Sequence, residues 1–176
     1  MARVYVAAGS NVDPQANLAR AVTELARVFG PLRISPWYRN RAVGFEGEDF
    51  INFVFGFDTD LSVHETLERL RAVEGLCGRP RDAPKWAPRS MDLDVLLYDD
   101  LVLETSEIRL PRPDLLVRPY MLRPLADIAP NLRHPAQGRT MSELWAGFDQ
   151  PGHEMIAVRP AATVGGENGH AGANDH

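Results

Sequence analysis

The fold is decided by residues 50–58, which read FINFVFGFD. Aromatic and β-branched residues dominate this stretch, and such residues favour extended strands. Successive side chains of a strand point to opposite faces, so the odd positions share one apolar face, made of Ile51, Phe53, Phe55 and Phe57. The other face carries Phe50, Asn52 and Val54. The alternation therefore predicts a strand whose odd-numbered face enters the core.

Helix signals lie on both sides of this strand. Asp13-Pro14 supplies an N-cap and a first-turn proline for one helix. Ser62 and Glu65 form a capping box that opens a second helix. A third, shorter helix is predicted over residues 120–128, with an interruption at Pro124 because proline cannot donate the helical hydrogen bond.

The strands alternate with these helices in an order that predicts the fold class. Extended segments are expected over residues 4–8, 32–40, 50–58 and 91–98. The resulting order is strand, helix, strand, strand, helix, strand, which is the βαββαβ arrangement of a ferredoxin-like sandwich. We therefore expect an α+β fold with one antiparallel sheet. Helices should cover one face, and extra C-terminal helices the other, giving a three-layer αβα sandwich.

Composition and charge narrow the class of protein. The 176 residues favour a single domain over residues 1–160, followed by a flexible tail over 161–176, where glycine, alanine, asparagine and histidine dominate. A net charge of −5 disfavours a nucleic-acid partner. The single cysteine and the absence of a long apolar run predict a cytoplasmic protein with no membrane partner. We expect a monomer.

The sharpest local signal for chemistry is the pair Asp92 and Asp94. On a strand, residues two apart point the same way, so both carboxylates project together. Two adjacent negative charges need a cation nearby, and carboxylate oxygens suit Mg²⁺. Taken alone, the pair is weak evidence for a metal site, because acidic pairs on exposed strands are commonly solvated. The preceding loop adds the cationic groups that phosphoryl-type transfer requires, namely Arg79, Arg81, Lys85 and Arg89.

The residues around this pair resemble a known family. Residues 86–96, WAPRSMDLDVL, are similar to the signature of the 6-hydroxymethyl-7,8-dihydropterin pyrophosphokinases, folate-pathway enzymes that move diphosphate from ATP to a pterin alcohol. Further similarity follows in the same order within residues 3–158, at positions 8–11, 50–52, 78–79 and 118–125. The resemblance implies an ATP-dependent pterin diphosphokinase with ATP as co-substrate.

The resemblance implies roles for the residues that would handle ATP. Asp92 and Asp94 would hold two Mg²⁺ ions, and Arg79 and Arg89 would be the catalytic arginines on the diphosphate. The ATP-binding positions that it implies are Arg71, Glu74, Arg79, Arg81, Trp86, Arg89, Arg112 and Arg118.

The resemblance also implies a pterin site. Phe50 and Tyr120 would sandwich the flat ring, which gains stacking energy from both faces. Asn52 would read the polar edge of the ring, since an amide offers both a donor and an acceptor. The pterin-binding positions that it implies are Asn40, Val43, Gly44, Phe50, Asn52, Trp86 and Tyr120.

Two departures and two alternatives accompany this interpretation. Arg112 stands where many members carry histidine, so no proton-transfer role is expected there, and Asp82 stands where a basic residue occurs in well-known members.

Paired aspartates also occur in glycosyltransferases and nucleotidyltransferases that use sugar nucleotides. A ferredoxin-like module that binds a small molecule without turnover is the second alternative.

Overall fold

The computed structural model describes residues 1–40, 49–78, 91–149 and 155–160. Its strands are β1 (Ala2–Ser10), β2 (Arg33–Ile34), β3 (Trp37–Asn40), β4 (Phe50–Thr59), β5 (Met91–Tyr98), β6 (Leu103–Glu104), β7 (Arg109–Leu110) and β8 (Met155–Val158). Its α-helices are α1 (Pro14–Phe29), α2 (Val63–Gly78), α3 (Pro119–Ile128) and α4 (Met141–Ala146), with a 3-10 helix over Pro113–Leu116. In the described ranges, no helix is both long and apolar enough to cross a bilayer.

The strands form one antiparallel sheet in the order β5-β1-β4-β3-β8, with β2 also paired to β4. A separate ribbon joins β6 and β7. The extended segment expected over residues 32–40 is split into β2 and β3. Pro36 lies between them and lacks the N–H that a continuous ladder needs, while the Ser35 Oγ atom accepts a hydrogen bond from Val54 N at 2.9 Å.

The alternation in β4 is confirmed, because its two faces enter different cores. Ile51, Phe53, Phe55 and Phe57 lie in the larger core, together with buried residues of α1 and α2. Val54 lies in a second core built with α3 and the start of α4. The sheet therefore has α1 and α2 on one face and α3 and α4 on the other.

The helix boundaries test the capping signals. The Ser62–Glu65 capping box is confirmed, with Ser62 N donating to Glu65 Oε1 at 3.0 Å and Glu65 N to Ser62 Oγ at 3.1 Å. Asp13 precedes α1 as expected but makes no side-chain cap, because it adopts a left-handed conformation with φ of 43°. The expected interruption at Pro124 is wrong, since α3 continues through that residue. A proline in the second turn removes one hydrogen bond without ending the helix.

Candidate active site

The two acidic residues of β5 lie on the face of the sheet that α3 covers. Met91, Leu93 and Val95 enter the α1–α2 core, while of the two residues between them Asp92 is exposed and Asp94 is half-buried. Their cross-strand neighbours on β1 are small, with Asp92 opposite Gly9 and Asp94 opposite Ala7. The carboxylates therefore stand beside each other with little side-chain bulk next to them.

Asp94 faces a mixed set of charges. The Arg112 Nη2 atom lies 3.6 Å from Asp94 Oδ1, and Arg112 Nε lies 3.5 Å from Asp114 Oδ2. Burial raises the pKa of the Asp94 carboxyl above its ordinary value; Arg112 opposes this shift and Asp92 adds to it. Arg71 also opposes the shift, and the two guanidinium groups together offset only part of the cost of keeping negative charge here. A bound cation would therefore be stabilised beside Asp94.

The donor set fits a hard divalent cation. Asp92 and Asp94 offer only carboxylate oxygens, which Mg²⁺ prefers, and Mg²⁺ commonly takes one or two carboxylates with water and phosphate oxygens completing its shell. The described part of the chain contains no group of three or more histidine, cysteine or acidic residues placed to hold an ion. Within these residues, the two carboxylates would leave the other positions of the ion's shell to water or phosphate oxygens.

A row of polar and small side chains continues from Asp92 across the sheet. In register, Asp92 neighbours Gly9, and Gly9 neighbours Asn52 of β4. The Asn52 amide lies so close over Gly9 that a Cβ atom there would overlap with Asn52 Nδ2. Asn40 Nδ2 donates to Asn52 Oδ1 at 2.6 Å, which fixes the orientation of the Asn52 amide. The row thus presents an oriented amide two strands away from the carboxylates.

Two aromatic residues flank this row. Phe50, half-buried, lies two residues from Asn52 on the same face of β4 and pairs with Asn40. Tyr120, also half-buried, lies in the first turn of α3 and packs against the second core. Burial raises the pKa of the Tyr120 phenol, Arg118 opposes this shift, and Asp114 and Asp94 add to it, so the ring lies in the electrostatic neighbourhood of Asp94.

Arg71 and Glu74 hold the outer edge of β5. Glu74 is buried, and its Oε2 atom accepts a hydrogen bond from Leu93 N at 2.7 Å. Arg71 Nη1 lies 3.2 Å from Glu74 Oε1 and 3.5 Å from Leu93 O. Glu74 and Arg71 thus hydrogen-bond the N–H and the C=O of Leu93, the residue between the two aspartates. The sequence did not predict this role. The sequence feature that could have indicated this role is the acidic residue on the inward face of α2, beside the buried Leu70 and Val73.

The structure brings together only part of the predicted site. Asp92, Asp94, Arg112 and Tyr120 lie near one another, and Asn40, Asn52 and Phe50 form the neighbouring group. Arg118 is exposed at the N-terminus of α3. The predicted residues that lie outside the described ranges are Val43, Gly44, Arg79, Arg81, Trp86 and Arg89.

Comparisons with known proteins agree on one family. A family model described as 7,8-dihydro-6-hydroxymethylpterin-pyrophosphokinase (HPPK) matches residues 5–130. A Synechocystis protein is 42% identical over 164 residues, which cover 92% of this chain and 83% of that protein. An Aquifex aeolicus protein is 37% identical over 145 residues, covering 81% and 90% of the two chains. Both are named 2-amino-4-hydroxy-6-hydroxymethyldihydropteridine pyrophosphokinase.

Solved structures show the same fold. A triple mutant of Plasmodium falciparum HPPK-DHPS has a TM-score of 0.66 at 12% identity, over 82% of this chain and 41% of that chain. An HPPK-DHPS described as in complex with substrates has a TM-score of 0.63 at 11% identity, over 82% and 42%. The chain thus spans less than half the length of these solved chains, and at such identity the likeness concerns the fold alone.

Proposed function

The chain belongs to the 7,8-dihydro-6-hydroxymethylpterin-pyrophosphokinase family, and from this membership we propose that it transfers diphosphate from ATP to 6-hydroxymethyl-7,8-dihydropterin. The products are AMP and the pterin diphosphate, and the reaction is a step of folate biosynthesis. The observation that carries the proposal is that Asp92, Asp94 and Asn52 lie on one face of the sheet and that Tyr120 lies on α3, which covers that face. All four lie within the residues that the family model matches.

In the proposed reaction, the hydroxymethyl oxygen attacks the β-phosphorus of ATP. A new bond forms between that oxygen and the β-phosphorus, and the bond from the β-phosphorus to the oxygen bridging it to the α-phosphorus breaks. AMP leaves with the electron pair, and the hydroxyl proton passes to solvent. Because little covalent chemistry falls to the protein, its contribution is positioning and neutralisation of charge.

The pterin would lie over the polar row of the sheet. We propose that Phe50 and Tyr120 contact opposite faces of the ring. The Asn52 amide, whose oxygen accepts a hydrogen bond from Asn40, would bind the polar edge of the ring. We propose that Val43 and Gly44 add backbone contacts and that Trp86 closes over the bound substrates. The attacking oxygen would then point along the row toward Asp92.

The triphosphate would lie at the β5 end of the row. We propose that Asp92 and Asp94 hold two Mg²⁺ ions, which when bound neutralise phosphate charge. Arg79 and Arg89 are proposed as the catalytic arginines on the diphosphate. The remaining ATP contacts in this proposal are Arg71, Glu74, Arg81, Trp86, Arg112 and Arg118. Arg112 already lies 3.6 Å from Asp94, which supports its placement beside the phosphates.

The finer description of the fold belongs to the same proposal. The order β5-β1-β4-β3 with every neighbouring pair antiparallel supports a ferredoxin-like βαββαβ sandwich with helices added on its second face. We further propose one domain over residues 1–160 with a flexible tail over 161–176, acting as a monomer in the cytoplasm.

Conversion of Asp92 to asparagine tests the proposal. The purified chain is incubated with ATP, Mg²⁺ and 6-hydroxymethyl-7,8-dihydropterin, and AMP is quantified. We expect AMP and pterin diphosphate in equal amounts from the unchanged protein. Asp92→Asn should lower kcat at least about hundredfold, because it removes a charge that acts on the reacting phosphates. Asp100→Asn, an exposed aspartate beyond the end of β5, is the matched control and should leave kcat unchanged.

Three outcomes would contradict the proposal. Formation of ADP instead of AMP would indicate transfer of a single phosphoryl group. Turnover of a sugar nucleotide without turnover of the pterin would support the glycosyltransferase or nucleotidyltransferase alternative. Pterin binding in calorimetry with no product would support a binding module.

A further inference from the structure

Helix α3 carries three polar or aromatic residues along one stripe. Tyr120, Arg123 and Asp127 are spaced by three and then four positions, so they share a face of the helix. Tyr120 lies at the end of α3 near Asp94, and Asp127 lies in its last turn. The stripe therefore extends from the neighbourhood of Asp94 on β5 toward β3, where Asp127 contacts Tyr38.

The second half of this stripe is fastened to Tyr38 of β3. The Tyr38 hydroxyl donates to Asp127 Oδ2 at 2.5 Å, and the Arg123 guanidinium carbon lies 4.6 Å from the centre of the Tyr38 ring. Burial and the bond to Asp127 raise the pKa of Tyr38 to about 12, so the phenol stays protonated and keeps donating at neutral pH. One aromatic side chain thus holds two successive turns of α3.

Arg123 extends the attachment to two further elements. Its guanidinium carbon lies 6.0 Å from the centre of the Trp145 ring of α4, and its Nη1 atom donates to Met155 O of β8 at 3.4 Å. A planar guanidinium between two aromatic rings is held by cation–π attraction and stacking. Arg123 therefore links α3 with β3, α4 and β8.

Tyr38 also adjoins the candidate pterin site. It is the register neighbour of Asn52, and Asn40, which orients the Asn52 amide, follows it by two residues on the same strand. Tyr38 therefore has contacts on two sides. Along the sheet it adjoins the position of Asn52, and above the sheet it holds the helix that carries Tyr120.

We propose that Tyr38, Arg123 and Asp127 form a positioning cluster that sets the geometry of the pterin site by holding α3 over the sheet. The proposal rests on the proposed function, because the pterin is the substrate whose binding the cluster would tune. The cluster fixes the gap between the Tyr120 ring and the strand that bears Phe50 and Asn52. None of the three residues needs to touch the substrate.

The test compares two tyrosine variants that each lose one hydroxyl. Tyr38→Phe removes the bond to Asp127 and leaves the ring beneath Arg123 in place. Tyr98→Phe is the matched control, since its hydroxyl donates to Leu61 O at 2.5 Å at the far end of β5, away from α3. We expect Tyr38→Phe to raise KM for the pterin about tenfold, as loss of a hydrogen bond to a charged group can. Its kcat and its KM for ATP should stay within about twofold of the unchanged protein.

Arg123 supplies a second variant series. Arg123→Ala should also raise KM for the pterin, and Arg123→Lys should recover part of the loss because a lysine keeps a cation over the Tyr38 ring. Equilibrium binding of the pterin by calorimetry should show the same order of affinities. Melting temperatures of all variants are measured alongside, to compare loss of stability with loss of pterin affinity.

The outcomes separate this inference from the proposed function. AMP production by the unchanged protein establishes the function independently of any variant. The inference is overturned if Tyr38→Phe and Tyr98→Phe lower the melting temperature alike and both leave KM for the pterin unchanged. It is also overturned if KM for ATP rises as much as KM for the pterin, because the cluster would then support the whole fold without setting the pterin site.

Discussion

At the scale of single residues, the Asn52 amide depends on the absence of a side chain at Gly9. A Cβ atom at position 9 would overlap with Asn52 Nδ2, and that atom is the far end of a flexible side chain. We therefore expect Gly9→Ala to fold, with the Asn52 amide displaced from its place over β1. Displacement should break the Asn40–Asn52 hydrogen bond of 2.6 Å and raise KM for the pterin about tenfold.

Gly75→Ala is the control for this substitution. Gly75 is exposed in α2, and a Cβ atom there would meet nothing within 4 Å. It should stabilise the protein by about 0.5–1 kcal/mol through the higher helix propensity of alanine, with KM unchanged. Steady-state kinetics and thermal unfolding of both variants give the comparison. An unchanged pterin KM in a folded Gly9→Ala protein would remove Asn52 from the pterin site.

At the scale of elements, the connection between α3 and α4 is organised around the buried His134. Its Nδ1 atom accepts hydrogen bonds from Ala136 N and Gln137 N, both at 3.1 Å, so this nitrogen carries no proton in the folded protein. Burial lowers the pKa of His134 below its ordinary value of 6.5. Protonation would oppose both hydrogen bonds and place a charge in a buried position.

The pH dependence of stability follows from this shift. As pH falls below 6.5, the unfolded chain binds a proton at His134 before the folded protein does. The stabilisation is therefore complete above that pH and decreases as pH falls toward the folded pKa. His134→Asn keeps an acceptor for the turn but cannot titrate in this range, so its melting temperature should fall less than that of the unchanged protein between about pH 8 and about pH 5. If the melting temperatures of His134→Asn and of the unchanged protein fall equally between these two pH values, His134 is not the titrating group.

The helices and strands also show which sequence patterns are sufficient to predict an element. The alternation in β4 and the capping box at Ser62 predicted those elements because each is local, spanning a few consecutive residues. The same capping box opens α4 at Thr140 and Glu143, a helix start that was not predicted. The two-residue strands β6 and β7 carry no periodicity, and their pairing depends on contacts that a local pattern does not contain.

At the scale of the whole molecule, the candidate site depends on contacts between distant parts of the chain. The strand pattern alone placed Asp92 and Asp94 on a shared face, because that relation is local. The approach of Arg112 to Asp94, and of Tyr120 to the same carboxylate, depends on how the chain returns over the sheet after β5. The resemblance to a family supplied those residues as candidates. The role of Glu74 at Leu93 N came only from the packing of α2 on the sheet edge.

The folded unit is expected to end near residue 160. Residues 161–176 contain few large apolar side chains, so they can offset little of the entropy lost on ordering. A chain that ends at Pro160 should therefore keep its melting temperature within about 1 °C and its kinetic constants within about twofold.

A chain that ends at Asp149 provides the contrast, because it also lacks β8. The β3–β8 ladder would be lost, together with the carbonyl of Met155 that Arg123 binds. Loss of several backbone hydrogen bonds should lower the melting temperature by about 4 °C or more. If Arg123 positions α3 as proposed, KM for the pterin should rise in this shorter chain and KM for ATP should not. If the chain that ends at Pro160 has a lower melting temperature than the full chain, the folded unit extends into residues 161–176.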